Sequence, residues 1–354
     1  MLTRRQFIDR MLALGLSSTS ILALLEVVAC APKPATPAAT LASGASPTAP
    51  STNAPKPTLP AATVTQPPVM AVSSSTAVPP ISTAAPQAYL SVARGDDPAV
   101  LVQRAVKALG GMERFVKKGQ SVLVKPNICV AYHGPEYAAT TNPQVVAALV
   151  TLCREAGASS VTVMDHPFGG TAEQAYKISQ IGDAVKAAGG QMVVMGSAKF
   201  RDSPIPEGKD IKKWLVYQDA LKFDVIIDAP IAKHHDLARL TLAGKNLMGL
   251  AENRGNLHPN LGERLVDLYT LFKPKLIVVD AYRILMANGP TGGNLNDVKL
   301  AKTVIASHDI VAADAYATTL FGLKPDAISY VKAGAARGIG TADLNSIKIE
   351  EINA

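Results

Sequence analysis

The sequence predicts an α/β domain of the Rossmann-like kind, a mostly parallel sheet with helices on both faces. Three observations carry that expectation. Short apolar, β-branched runs such as Ser160–Met164 and Leu276–Val279 recur from Tyr89 onward, and strands apolar throughout are those covered on both faces. Segments with helix caps and stops alternate with them. Four of the strands run directly into ionisable or amide residues, at the edge where open α/β sheets bind ligands.

The predicted domain is Ala88–Ala354. Ahead of it the composition is of another kind: 13 of the 25 prolines fall between Ala31 and Gln87, and no Asp or Glu occurs between Glu26 and Asp96. Such a stretch has too little to bury and is expected to be a disordered linker over residues 31–87. The chain starts with Arg4-Arg5-Gln6-Phe7-Ile8 and continues apolar from Met11 to Leu25, the layout of a secretory signal. Thr3-Arg4-Arg5 resembles a twin-arginine export motif, departing from it at Asp9, where a Lys is common. Val27-Val28-Ala29-Cys30 looks like a lipobox, which makes residues 1–30 a lipoprotein signal and Cys30 the lipidated residue. The expected location is therefore the outer face of the cytoplasmic membrane, with the linker as tether.

Charge points the same way. The whole chain carries a net +7, but residues 88–354 hold 30 basic and 26 acidic side chains, a net +4, with the Lys and Arg dispersed. That balance, the export signal and the lack of an aromatic-basic stripe argue against nucleic acid as a partner.

Within the domain, strands are expected at Tyr89–Ala93, Ser121–Val124, Ser160–Met164, Met192–Met195, Asp224–Asp228, Leu276–Val279 and Thr303–Ala306, with a terminal edge strand at Ser346–Ile352. Asn142-Pro143 supplies an N-cap and a first-turn proline, and Gly157 follows the helix they open. His258-Pro259 opens a second helix that reaches Phe272 before Pro274, and Asp309 starts a third ending near Gly322.

The polar strand ends are Lys125-Pro126-Asn127, Asp165-His166-Pro167, Lys233-His234-His235 and Asp280. Lys125, Lys233, Lys245 and Arg254 would make a positive pocket for carboxylate or phosphate if their loops converge. Asn127 and Asn246 are candidate ligand contacts beside them. Asn288 and Gly289 open a Gly-rich loop whose amides could form an oxyanion nest, although it is neither a Walker A nor a GxGxxG motif. His234 and His258 are the candidate general acid/base residues, with Lys233 beside them and Asp165 or Asp280 orienting. The same groups offer a second option: His166, His234, His258 and Asp280 assembled at long range around zinc, nickel or iron. Cys153 reads as a buried filler and Cys129 lies near the presumed site. The sequence lacks the four closely spaced cysteines of an iron–sulfur cluster.

The ordered series Val124-Lys125-Pro126-Asn127, Asn142-Pro143, Asp165-His166-Pro167, Lys233-His234-His235, Gly244-Lys245-Asn246-Leu247-Met248-Gly249, Arg254, His258 and Val279-Asp280 resembles the domain of unknown function 362 family. The resemblance covers nearly all of the folded part. It implies an exported protein and reinforces Lys125, Asn127, Lys233, His234, Lys245, Asn246, Arg254 and His258 as the residues that matter, without implying a reaction or a protein partner. Two functions fit: an extracytoplasmic enzyme acting on a small anionic metabolite, or a substrate-binding lipoprotein that delivers an anionic ligand.

Overall fold

The computed structural model describes residues 88–354. The signal, linker and Cys30 readings therefore lie outside the described residues. In chain order the elements are β1 (Leu90–Arg94), α1 (Pro98–Ala108), β2 (Ser121–Pro126), α2 (Pro143–Glu155), β3 (Ser160–Val163), α3 (Ala172–Ile178), α4 (Ile181–Ala187), β4 (Gln191–Met192), β5 (Phe200–Pro204), β6 (Lys213–Tyr217), β7 (Val225–Ala229), β8 (Ile231–His235), β9 (Arg239–Thr241), α5 (Ala243–Asn246), α6 (Leu261–Phe272), β10 (Leu276–Leu285), β11 (Val298–Ser307), α7 (Ile310–Thr319), α8 (Ser329–Ala336) and β12 (Ile349–Asn353).

The main sheet has the order β12-β1-β11-β10-β7-β2-β3-β4. It is α/β and mostly parallel, with one reversal: β11 runs antiparallel to both β1 and β10. The loop from Met286 to Asn294 returns the chain as a long hairpin, so this strand needs no crossover helix. The expected terminal edge strand is β12, parallel to β1.

Strand alternation divides the side chains between two cores. Val122 and Val124, Val225 and Ile227, and Leu276 and Val278 join the core beneath α1, α2 and α4. Leu123, Ile226, Ile277 and Val279 join the other, beneath α6, α7 and the β5–β6 hairpin. This parity decides which polar residues can meet. Lys125 and Asp228, registered opposite each other on β2 and β7, continue the Leu123/Ile226 face. Asp280 continues the Val278 face.

The caps behave as expected. The Asn142 side chain accepts from the Gln144 amide at the start of α2, and the Asp309 carboxylate accepts from Val311 and Ala312 at the start of α7. The helix expected from His258-Pro259 begins at Leu261, because Arg254–Asn260 wind as a 3-10 segment first.

Two strand pairs were not expected. β5 and β6 form a separate antiparallel hairpin. Residues 231–235, expected as a loop, form β8: Pro230 ends β7, and its carbonyl accepts from the Asp280 amide. The chain then resumes beside the upper half of β10 and pairs with β9.

Candidate functional site

The site is built on buried Asn246. Its Oδ1 accepts from Lys125 Nζ and Asn127 Nδ2, each at 3.0 Å. Its Nδ2 donates to the Lys125 carbonyl at 3.1 Å and to Asp228 Oδ1 at 2.7 Å. One amide thus ties together β2, β7 and α5. What aims it is Asp314 on α7, whose two carboxylate oxygens accept from the Ala243 and Gly244 amides, 2.8 Å each, at the start of α5. Burial pushes the Asp314 carboxyl up to about 7.

Lys125 is fully buried, and its ammonium donates to Asp165 Oδ1 at 2.7 Å, the Pro126 carbonyl at 2.8 Å and Asn246. Lys233 donates to the Ala139 carbonyl at 2.6 Å, the Pro290 carbonyl at 2.9 Å, Asn127 Oδ1 at 3.1 Å and Cys129 Sγ at 3.1 Å. An ammonium has three N–H donors, so both lysines are saturated by the protein. This corrects the expectation that Lys125 contacts ligand and that Lys233 is catalytic: neither has a donor left. Burial lowers the Lys125 pKa, with Asp165 and Asp228 opposing that shift. Asp228 is fully buried, keeps Oδ2 without a partner among the described residues, and is pushed well above the usual carboxylate range by desolvation.

Lys245 and Arg254 are the contrast. Among the described residues neither hydrogen-bonds to a carboxylate: Lys245 Nζ lies 3.7 Å from Met248 Sδ, and Arg254 donates from Nε to the Ala251 carbonyl at 3.0 Å. Burial, then Lys233 and Arg254, push the Lys245 pKa down to about 7. Burial also lowers Arg254, against the pull of Asp165 and Glu252. The four cations do converge, and among the described residues Lys245 and Arg254 are the two without a carboxylate or a full set of acceptors.

The histidines separate by strand parity. Lys233 and His235 point to one face of β8 and His234 to the other. His234 Nδ1 accepts from the Gly289 amide at 3.2 Å and lies 3.7 Å from Asp236. His235, on the Lys233 face, is buried with its ring 6.3 Å from that of His258. Burial and the Lys245 charge hold the pKa of His235 down to about 2 and lower that of His258.

His166 packs on the Phe200 ring at 5.2 Å with Nδ1 3.3 Å from Glu252. Asp280 points to the opposite face of the sheet, where it accepts from the Asn142 amide at 2.7 Å and the Tyr282 amide at 3.0 Å. It therefore cannot orient His234 or His258. Asp165 accepts from Lys125 and the Ile128 amide and holds no histidine. Among the described residues no group of three or more His, Cys, Asp or Glu is placed to hold a metal. The expected set His166, His234, His258 and Asp280 is dispersed over both faces of the sheet and two separate loops.

The Gly-rich loop is also reassigned. Asn288 Nδ2 bonds Asp297 at 2.7 Å, the Gly289 amide is engaged by His234, and the Pro290 carbonyl accepts from Lys233. Here the loop presents a carbonyl to a cation, the reverse of an oxyanion nest. Cys129 and Cys153 are both free and buried.

A family model described as a domain of unknown function (DUF362) matches residues 122–319, more than half of the chain. The chain belongs to the DUF362 family. The matched span contains every residue of the DUF362 site just described. A thylakoid-associated protein of Synechocystis sp. is 29% identical over 247 residues, covering 66% of this chain and 73% of the relative. Among solved structures, the lactate racemase apoprotein of Thermoanaerobacterium thermosaccharolyticum matches with a TM-score of 0.37 and 13% identity, over 61% of this chain. A Thermotoga maritima protein matches with a TM-score of 0.36 and 12% identity, over 65% of this chain. The chain spans only 53% and 60% of those two solved chains.

Proposed function

We propose that this DUF362 domain is an extracytoplasmic enzyme acting on a small carboxylate or phosphate anion, held by Lys245 and Arg254. The observation that carries this reading is the division among four neighbouring cations. Lys125 and Lys233 are saturated by protein acceptors, while Lys245 and Arg254 have no acidic hydrogen-bond partner among the described residues. Two half-buried cations held beside two others repel one another unless an anion joins them. The nearby imidazoles favour an enzyme over a receptor, since a pure binding site has no need of proton-transfer groups. The described residues also belong to a single compact unit, whereas a closing receptor needs two lobes.

Acetate titration across pH tests the reading, because acetate keeps a constant charge over the range concerned. The Lys245 pKa is depressed to about 7, so its ammonium is present below pH 7 and is lost as the pH rises above it. An anion binds only the ammonium. Acetate affinity should therefore fall about twofold between pH 6 and 7 and then more steeply, approaching roughly tenfold per unit above pH 8, with proton uptake on binding near neutrality. Affinity unchanged up to pH 9 would contradict the assignment.

Export and lipid anchoring complete the proposal. The Arg4-Arg5 signal and Cys30 support it, as does a relative whose name records association with thylakoids. A Cys30→Ala chain should move from the membrane fraction to the soluble fraction. Unchanged partition into membranes would remove Cys30 as the anchor.

A further inference from the structure

The two imidazoles beside Lys245 have their tautomers fixed by the backbone, and fixed in opposite senses. His235 Nδ1 lies 3.1 Å from the Leu237 amide and 3.3 Å from the Ala238 amide. Amides only donate, so Nδ1 must be bare and the ring proton sits on Nε2. His258 Nδ1 lies 3.2 Å from the Gly255 carbonyl. A carbonyl only accepts, so the proton sits on Nδ1 and Nε2 carries a lone pair. That Nε2 is buried and has no partner among the described residues, an expensive condition for a polar atom. His235 Nε2–H has no partner among the described residues either. The rings lie 6.3 Å apart, inclined by 31°, and make no hydrogen bond to each other. Lys245 is the charged neighbour that acts most strongly on both.

We infer that His235 and His258 form a donor–acceptor pair that receives a hydroxyl on the bound anion, His235 Nε2–H donating to its oxygen and His258 Nε2 accepting its proton. The substrate class is thereby narrowed to a small carboxylate or phosphate that also bears a hydroxyl. This rests on the reading of Lys245 and Arg254 as the anion site. A hydroxyl is the small neutral group that both donates and accepts, so it satisfies both imidazoles at once. A methyl group or a hydrogen satisfies neither. His235 takes the place the sequence assigned to His234, as the member of the His234-His235 pair that shares a strand face with Lys233.

The experiment is a matched-pair titration of the purified full-length protein in detergent. Glycolate is compared with acetate, and 2-hydroxyethyl phosphate with ethyl phosphate. In each pair the hydroxylated member should bind about tenfold more tightly, the increment expected of two modest hydrogen bonds. His235→Phe and His258→Phe should each bring the affinity ratio of the hydroxylated to the plain member of each pair down from about ten toward one. If both members of each pair bind the wild type equally, and Lys245→Ala still weakens both at least tenfold, the hydroxyl pair is wrong and the anion site stands. If neither member binds the wild type, the anion site fails and the pair with it. Nitrogen-15 spectra of the wild-type imidazoles give a reading that needs no variant to fold. His235 should remain neutral with its proton on Nε2 from pH 5 to 8, and His258 should carry its neutral-form proton on Nδ1. The opposite tautomer at either ring would overturn the inference.

Discussion

Gly249→Ala should leave the domain barely folded. A Cβ at this position would lie 1.9 Å from Asp165 Oδ1 and 2.5 Å from Lys125 Nζ. Both atoms are the ends of side chains, but neither can swing aside. Asp165 is held by Lys125 and the Ile128 amide, and Lys125 by Asp165, Pro126 and Asn246. Accommodating the methyl group means separating a fully buried ion pair. Breaking such a pair costs about 3–5 kcal/mol, and overpacking adds about 1–3 kcal/mol. Against a total stability of about 5–15 kcal/mol, most of the folded population is at risk. Urea denaturation followed by circular dichroism measures it, and a midpoint equal to wild type would show that Gly249 is not pressed against the pair. The same contact explains the spacing of the Lys245-Asn246-Leu247-Met248-Gly249 segment: Asn246 enters the network and Gly249, one turn on, lets the chain pass over Lys125.

Asn246→Leu, close to the original in shape, should be nearly as damaging. It removes four hydrogen bonds and leaves one Lys125 N–H, the Asn127 amide and Asp228 Oδ1 without partners in a dry interior. Each orphaned buried group costs about 1–3 kcal/mol, so a loss of roughly 3–6 kcal/mol is expected. Asn246→Asp should rescue little, because a second carboxylate beside Asp228 replaces two donors with repulsion. Melting temperatures of the two variants check this, and a Leu variant within about 1 kcal/mol of wild type would show that the network does not hold β2, β7 and α5 together.

Much of the fold could be read from the sequence because its signals are local. Asn142-Pro143 and Asp309 cap helices through their own neighbours, and apolar runs such as Ser121–Val124 announce buried strands. What could not be read depends on pairing across the sheet. β11 looks like any other apolar strand until it is seen to return antiparallel beside β10. The β5–β6 hairpin resembles a loop, because its first strand, Phe200-Arg201-Asp202-Ser203-Pro204, is mostly polar and ends in proline. β8 was hidden because Lys233-His234-His235 is polar; its strand character comes from the upper half of β10. Once it is a strand, alternation selects His235 over His234.

The same parity was available for Asp280. Counting from Ile277 and Val279 sends it to the face away from Lys125, where it serves the Asn142 amide. The sequence did indicate that Lys125, Lys233, Lys245 and Arg254 belong together. It could not indicate which of them are satisfied, because the acceptors that saturate Lys233 are backbone carbonyls of Ala139 and Pro290, distant in the chain and without a side-chain signature. Asp228 and Asp314 were missed for a related reason: they sit inside apolar elements, and only burial without a cationic partner of their own marks them.

The division of labour among the cations is the central claim, and phosphate titration of Lys245→Met against Lys125→Met tests it most directly. Lys125→Met strands the Asp165 carboxylate and should lower stability by about 3–5 kcal/mol. Lys245→Met removes a half-buried cation that has no acidic partner among the described residues and should leave the melting temperature unchanged or raised. In the folded Lys245→Met protein, loss of one charge-assisted contact, worth about 1.5–3 kcal/mol, should weaken phosphate binding at pH 6.5 by roughly 10- to 150-fold relative to wild type. Wild-type phosphate affinity in Lys245→Met would contradict the account.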